Sequence, residues 1–97
     1  MSNNLSPIIG NDQTVSFTAS SVAASTAFAS DSRIVRLVSD QPCFVEFADS
    51  PTATVAGSTY LPASTPEYFV IPNPGSTKVA AIRATSTSGK LYVAEFA

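Results

Sequence analysis

The sequence contains no histidine, no tryptophan and only one cysteine, Cys43. Histidine is the side chain that titrates nearest neutral pH and the commonest metal ligand, so its absence removes the usual general base and the usual metal centre. No Ser-His-Asp or Cys-His arrangement can form without it. A single cysteine also excludes an internal disulfide and a thiolate metal cluster. We therefore expect a non-enzymatic protein with no catalytic residues, no metal site and no cofactor.

Charged residues are also scarce. They make up 12% of the 97 residues, and five basic against seven acidic side chains give a net charge of −2. This is the wrong sign for electrostatic binding of nucleic acid. No apolar run approaches the roughly 20 residues that cross a bilayer, and the first residues lack the pattern of a secretion signal. We expect neither nucleic acid nor a membrane as partner, and synthesis in a reducing cytoplasm.

Small residues are what the sequence has in abundance. Serine, threonine and alanine account for 39 of the 97 residues, beside seven prolines and nine aromatic residues. β-branched and aromatic residues favour strands, and proline punctuates them. This composition predicts a β-rich packing module, and the length predicts a single domain.

The first 13 residues form a separate region, which we predict to be an extended N-terminal arm. It is mostly polar, with an apolar cluster around Pro7 that consists of Leu5, Ile8 and Ile9. Pro7 disfavours the helical region for the residue before it, which predicts extended backbone here. Two interpretations stay open, a frayed terminus and a peptide that docks on a neighbouring subunit. In the second, the three apolar side chains contact the partner.

Residues 14–97 are predicted to form one antiparallel β-sandwich, jelly-roll-like, with seven to eight short strands. Apolar and polar residues alternate with period two in several runs, and turn signals recur every 8–12 residues. The predicted strands are residues 15–19, 26–29, 33–38, 43–48, 59–61, 66–71, 78–84 and 90–96. The last two are predicted to pair as a hairpin across a five-residue loop. Pro66 and Pro72 stand at the two ends of the run 66–71, which predicts a sheet edge or a strand with blunted ends. Residues 73–76 have proline second and glycine third, which predicts a type II turn.

Few residues suggest a site of any kind. Glu46 and Asp49 are the closest acidic pair, and we interpret them as solvated charges at a strand end. Cys43 is interpreted as a buried, inert thiol. The three tyrosines combine an aromatic ring with a polar tip, so Tyr60, Tyr68 and Tyr92 are core-edge residues or contact residues, and we take Tyr60 and Tyr68 as the candidates for partner contact.

The order of several segments resembles that of small virion proteins of tailed bacteriophages and prophages. The resemblance covers about residues 26–97 and is carried by residues 33–39, 40–47, 50–54, 60–63, 66–69, 78–84 and 89–95. It implies a β-sandwich or jelly-roll capsid decoration (cement) protein on the outer head surface. It also implies binding to the major capsid protein as a homo-oligomer, commonly a trimer, after synthesis in the host cytoplasm.

Two further expectations follow from the residues alone. A small sandwich with so few charges is expected to share apolar surface between subunits, as a trimer first and a dimer second. The alternative function is a carbohydrate- or receptor-binding module of a phage fibre or spike. That alternative requires two adjacent tyrosines to replace the missing tryptophan as a sugar-stacking platform.

Overall fold

The structure is a computed structural model that describes Pro7 and residues 11–97. Within this part of the chain it contains eight strands and no helix. The strands are β1 (Gln13–Phe17), β2 (Val22–Ala23), β3 (Ile34–Ser39), β4 (Cys43–Ala48), β5 (Thr59–Leu61), β6 (Glu67–Val70), β7 (Lys78–Arg83) and β8 (Gly89–Phe96). The prediction of an all-β chain with seven to eight short strands is confirmed.

The strands form two four-stranded sheets whose pairing follows one rule. Sheet A has the order β1-β8-β3-β6 and sheet B the order β2-β7-β4-β5. β1 pairs with β8, β2 with β7, β3 with β6 and β4 with β5, always antiparallel. In these four pairs the first four strands run antiparallel to the last four, as in one long hairpin. The β3–β8 and β4–β7 pairings then join the pairs into the two sheets. A hairpin wrapped in this way is a jelly roll.

The core lies between the two sheets and is built by alternate residues of each strand. In sheet A the inward side chains include Val35, Leu37 and Leu91, none of which is exposed. Sheet B contributes Cys43, Val45 and Val79 from its inner strands. Phe17 and Phe28 are the largest fully buried side chains. The burial of alternate strand residues accounts for the period-two pattern of the sequence, because successive side chains of a strand point to opposite faces.

Two local predictions agree with the structure. β6 lies at the end of sheet A, as the flanking prolines of residues 66–71 predict. Residues 73–76 form the predicted turn, with Gly75 at a φ of 92° and the Ser76 N–H donating to the Asn73 carbonyl oxygen at 3.3 Å. A positive φ at the third position is the mark of a type II turn, and glycine adopts it without strain.

The predicted hairpin of residues 78–84 and 90–96 is wrong. β7 belongs to sheet B and β8 to sheet A, so the chain crosses from one sheet to the other between them. Residues 84–88 provide this crossing, because five residues can span about 17 Å and the sheets lie about 10 Å apart. The predicted strand at residues 26–29 is also wrong, since the strand in this region is β2 (Val22–Ala23). Phe28 instead enters the core from a loop whose backbone bonds to Thr77.

The described residues of the predicted arm lie against the sandwich. Pro7 forms an isolated antiparallel bridge with Phe96 at the end of β8. The Asn11 side-chain amide donates to the Glu95 carboxylate, which is buried and also accepts the Ala29 N–H at 2.9 Å. β1 begins at Gln13. The three apolar residues named for this arm, Leu5, Ile8 and Ile9, lie outside the described residues.

Candidate binding surface

The outward side of sheet A carries a concentration of exposed apolar side chains. We call it face A and define it by the outward residues of β3, β6 and β8: Ile34, Arg36, Val38, Tyr68, Val70, Lys90, Tyr92, Ala94 and Phe96. Of the five large hydrophobic residues that are exposed in the described part of the chain, Tyr68, Val70 and Tyr92 belong to face A. Val70 is 80% exposed, the largest value of the five.

The strand register arranges these side chains in rows across the sheet. Ile34 lies between Val70 on β6 and Phe96 on β8, and Arg36 lies between Tyr68 and Ala94 in the next row. The Tyr68 and Phe96 rings reach across β3, with centroids 6.4 Å apart. Side chains on neighbouring strands of one face pack against each other, so these rows form one apolar surface around a single guanidinium.

Two shallow hollows flank the Arg36 row. One, of about 240 Å³, is lined by Asp12, Gln13, Thr14, Arg36, Tyr92, Val93 and Ala94. The other, of about 300 Å³, is mainly apolar and is lined by Arg33, Ile34, Val70, Ile71 and Pro74. Clefts for small molecules range from about 300 to 1,000 Å³ and enclose most of the ligand. Hollows of this size suit side chains of a protein partner better than a separate small-molecule ligand.

Arg36 is the polar centre of face A. Its Nε atom is buried and has no hydrogen-bond partner among the described residues. A buried donor without a partner costs stability, more so when it carries charge. Asp12 borders the same hollow but is exposed, where solvent screens its charge. The buried Nε itself cannot be reached from outside, but Arg36 as a whole is only half-buried, so the terminal nitrogens of its guanidinium are the donors that face A offers to an incoming acceptor.

The outward side of sheet B, which we call face B, is different because the chain covers part of it. Its outward residues on β4, β5 and β7 are Phe44, Glu46, Ala48, Tyr60, Lys78, Ala80 and Ile82. The loop of residues 49–58 crosses this face: the Ala53 N–H donates to Ser21 Oγ at 2.8 Å, and Ser58 Oγ donates to Glu46 Oε1 at 2.9 Å. Beneath the loop Ala80 has no exposed surface, although it points outward.

The structure separates the two tyrosines that the sequence suggested as contact residues. Tyr68 lies on β6 and face A, whereas Tyr60 lies on β5 and face B, so they form no common platform. Tyr60 is 51% exposed and its ring packs against Phe44, with centroids 5.4 Å apart. Only Tyr68 of the pair contributes to face A.

The remaining candidate groups have structural surroundings. Glu46 is held by Ser58 over face B, and Asp49 lies exposed at the start of the same loop. Cys43 is a free, buried thiol in the core, and burial raises its pKa above the ordinary value of 9.0. Among the described residues no group of three or more His, Cys, Asp or Glu is placed to hold a metal ion.

Sequence reasoning missed most of face A, including Ile34, Arg36, Val70 and Phe96. A signal was present, because β3 has apolar residues at outward positions, Ile34 and Val38, as well as at inward ones. A strand that is apolar on both sides is expected where both sides are covered. In a chain without a predicted helix to cover the outer side, this pattern indicates a surface that another molecule covers.

Comparison with known proteins adds no relative. No family model matches the chain, and neither the curated proteins nor the solved structures contain a match. In the described part of the chain, no helix has the length and apolar character needed to cross a membrane.

Proposed function

We propose that this chain is a structural virion protein, a capsid decoration or cement protein of a tailed bacteriophage. In this role it binds the outer surface of the head as an oligomer and stabilises it. The role is non-enzymatic, the principal partner is the major capsid protein, and the site of action is the virion surface.

The observation that carries this proposal is face A. Large apolar side chains such as Val70 and Tyr68 are exposed on a regular sheet surface, and no described segment covers them. Contiguous exposed apolar surface on a small domain marks an interaction site. Tyrosine and arginine, both present on face A, are enriched where partners bind.

The segment resemblance to phage virion proteins supports the same proposal. Its segments include β3 and all but the last residue of β6 and of β8, the strands that build face A; Val70 and Phe96 lie just outside them. A capsid presents many identical sites on a symmetric lattice, so an oligomer that engages several of them gains avidity. Each individual contact can then be modest in area, as a face on a 97-residue domain must be.

Self-association belongs to this proposal, with a trimer favoured over a dimer. A cyclic trimer joins two different surfaces of each copy, which leaves one outer face of every copy free for the capsid. Light scattering of the purified protein tests this directly. A mass near three times 10.0 kDa supports the trimer, and a mass near 10.0 kDa at micromolar concentration contradicts it for the free protein.

Co-sedimentation with phage heads tests the function itself. The protein is mixed with expanded heads, prepared without it, of the phage whose genome carries this gene, and the heads are pelleted. We expect saturable binding at a fixed number of copies per capsid protein, and increased resistance of the heads to heat. Protein that stays in the supernatant at all concentrations contradicts the cement role. A major capsid gene within a few reading frames is the quickest supporting observation.

A further inference from the structure

We infer that face A is the surface that contacts the capsid protein. On that partner, Arg36 binds a carboxylate that is surrounded by apolar side chains. This inference rests on the proposed function and deepens it, since it names the contact face and the chemistry of the partner surface.

The charge distribution supports an acidic partner. Among the outward residues that define face A, Arg36 and Lys90 are basic and none is acidic. Beside the face lie Arg33, Asp12 and Asp40, whose carboxylate accepts the Lys90 N–H at 2.7 Å. The rest of the chain carries two basic and five acidic side chains. A protein of net charge −2 therefore has one net-positive, apolar face. Complementary charge at such a surface steers association and fixes the register of binding.

The position of Arg36 sets where the partner's carboxylate lies. Arg36 is in the middle strand pair of the surface, between Tyr68 and Ala94, and its buried Nε has no partner among the described residues. A guanidinium presents its donors in a planar fork that matches a carboxylate with two parallel bonds. The adjoining hollow of about 240 Å³ gives an acidic side chain room to reach the fork.

The same features disfavour a dimer in which face A of one copy binds face A of another. A two-fold interface brings the same patch of both subunits together. On face A that arrangement would place net-positive surfaces, with Arg36 near their centres, against each other. A partner that is apolar and acidic avoids this repulsion, so we assign face A to a different protein, here the capsid, rather than to a face-to-face dimer.

Charge reversal with a matched control tests the inference. Arg36→Glu changes face A, and Lys78→Glu makes the same change in charge on face B, where Lys78 points outward. Binding to purified heads is measured by co-sedimentation over a range of protein concentrations. We expect Arg36→Glu to weaken binding by about 30-fold or more, because the partner's carboxylate then meets a like charge. Arg36→Lys should retain part of the affinity, and Lys78→Glu should bind like the wild type.

A second pair of variants tests the apolar part without relying on Arg36. Val70→Asp places a charge on face A, and Val55→Asp places one at a side chain that is 55% exposed in the loop over face B. We expect at least a tenfold loss of binding for the first and none for the second. Far-ultraviolet circular dichroism and thermal melting confirm that every variant is folded.

The outcomes separate this inference from the function on which it rests. Wild-type protein that fails to bind heads overturns both. Wild-type binding with no loss in Arg36→Glu or Val70→Asp overturns the inference alone. A change in the mass of the free oligomer caused by these two variants, but not by their controls, also overturns it, because face A would then be an interface between copies of this chain.

Discussion

The outer faces of the two sheets differ in what lies on them. Over face B the loop of residues 49–58 is held at its middle, where the Ala53 N–H donates to Ser21, and at its end, where Ser58 donates to Glu46. Ala80 is completely buried beneath it, although it points away from the core. On face A no described segment provides a cover, and Val70 is 80% exposed.

This difference shows that a jelly roll needs only the inner sides of its sheets for a core. The outer side of each sheet can take a further layer, and that layer can come from the same chain or from another molecule. Face B has its layer within the chain, which contributes to folding stability. Face A retains apolar surface that contributes only when a partner covers it.

A charged residue introduced on each face in turn should give the largest difference in the free energy of unfolding. Ala80→Asp puts a carboxylate beneath the loop without a partner, and we expect a loss of about 3–5 kcal/mol in the free energy of unfolding. Ala94→Asp makes the same change on face A beside Arg36, and we expect a change within about 1 kcal/mol. Urea denaturation of both variants measures the difference. Equal losses of unfolding free energy in the two variants would show that the loop does not shield face B more than face A is shielded.

Releasing one anchor of the loop should have a smaller effect. Ser21→Ala removes the acceptor of the part-buried Ala53 N–H, and we expect a loss of about 1–2 kcal/mol. For a domain of this size such a loss lowers the melting temperature by several degrees. Ser86→Ala, at an exposed position in the crossing between the sheets, is the control and should shift stability by less than about 0.5 kcal/mol. A melting temperature of Ser21→Ala equal to that of the control would show that the loop is held by other contacts.

The thiol of Cys43, on the inner side of sheet B, should make the stability of the protein depend on pH. Burial raises its pKa above 9.0 in the folded protein, so above this pH the unfolded chain loses a proton that the folded chain keeps. Stability should therefore fall as pH rises from about 9 towards the raised pKa, by at most about 1.4 kcal/mol per pH unit. Urea unfolding between pH 8 and pH 10, compared with Cys43→Ala, isolates this contribution. Identical slopes for the two proteins would contradict it.

The smallest change in stability is expected on face A itself. Val70→Lys replaces a side chain that is mostly in water, so unfolding free energy should change by less than about 0.5 kcal/mol. The fluorescence of an apolar dye added to the folded protein should nevertheless decrease, because the dye binds exposed apolar surface. Val55→Lys, in the loop over face B, should leave the dye signal nearly unchanged. The opposite result would place the accessible apolar surface on face B.

Much of the strand content could be predicted from the sequence, whereas strand partners could not. Apolar and polar residues alternate along β1 and β4, and β3 is a nearly continuous β-branched run, so these strands could be located from the sequence. The same alternation is satisfied whichever sheet a strand joins, which is why β7 and β8 were wrongly predicted to pair. The role of residues 49–58 as a cover could not be predicted either, because it depends on hydrogen bonds between residues that are distant in sequence.

The candidate site was harder to predict for a related reason. Tyr60 and Tyr68 were selected as single residues, and the structure places them on opposite faces. Face A arises from residues that are far apart in the sequence and meet only through the β3–β8 and β3–β6 registers. The outward apolar residues of β3 could be seen in the sequence. Which charged residues share face A could be known only from the strand register.

The placement of β8 has a consequence for synthesis of the chain on the ribosome. β8 lies between β1 and β3, so sheet A cannot assemble until residues 89–96 have left the exit tunnel. Until then β1 and β3 have unpaired edges and exposed apolar residues, a state prone to association with other chains. Pairing of strands so distant in sequence is also slow. In a nascent chain of this topology β1 must therefore remain unpaired but soluble until β8 emerges, and the many serine and threonine residues, which hydrate well and attract no oppositely charged partner, favour that behaviour.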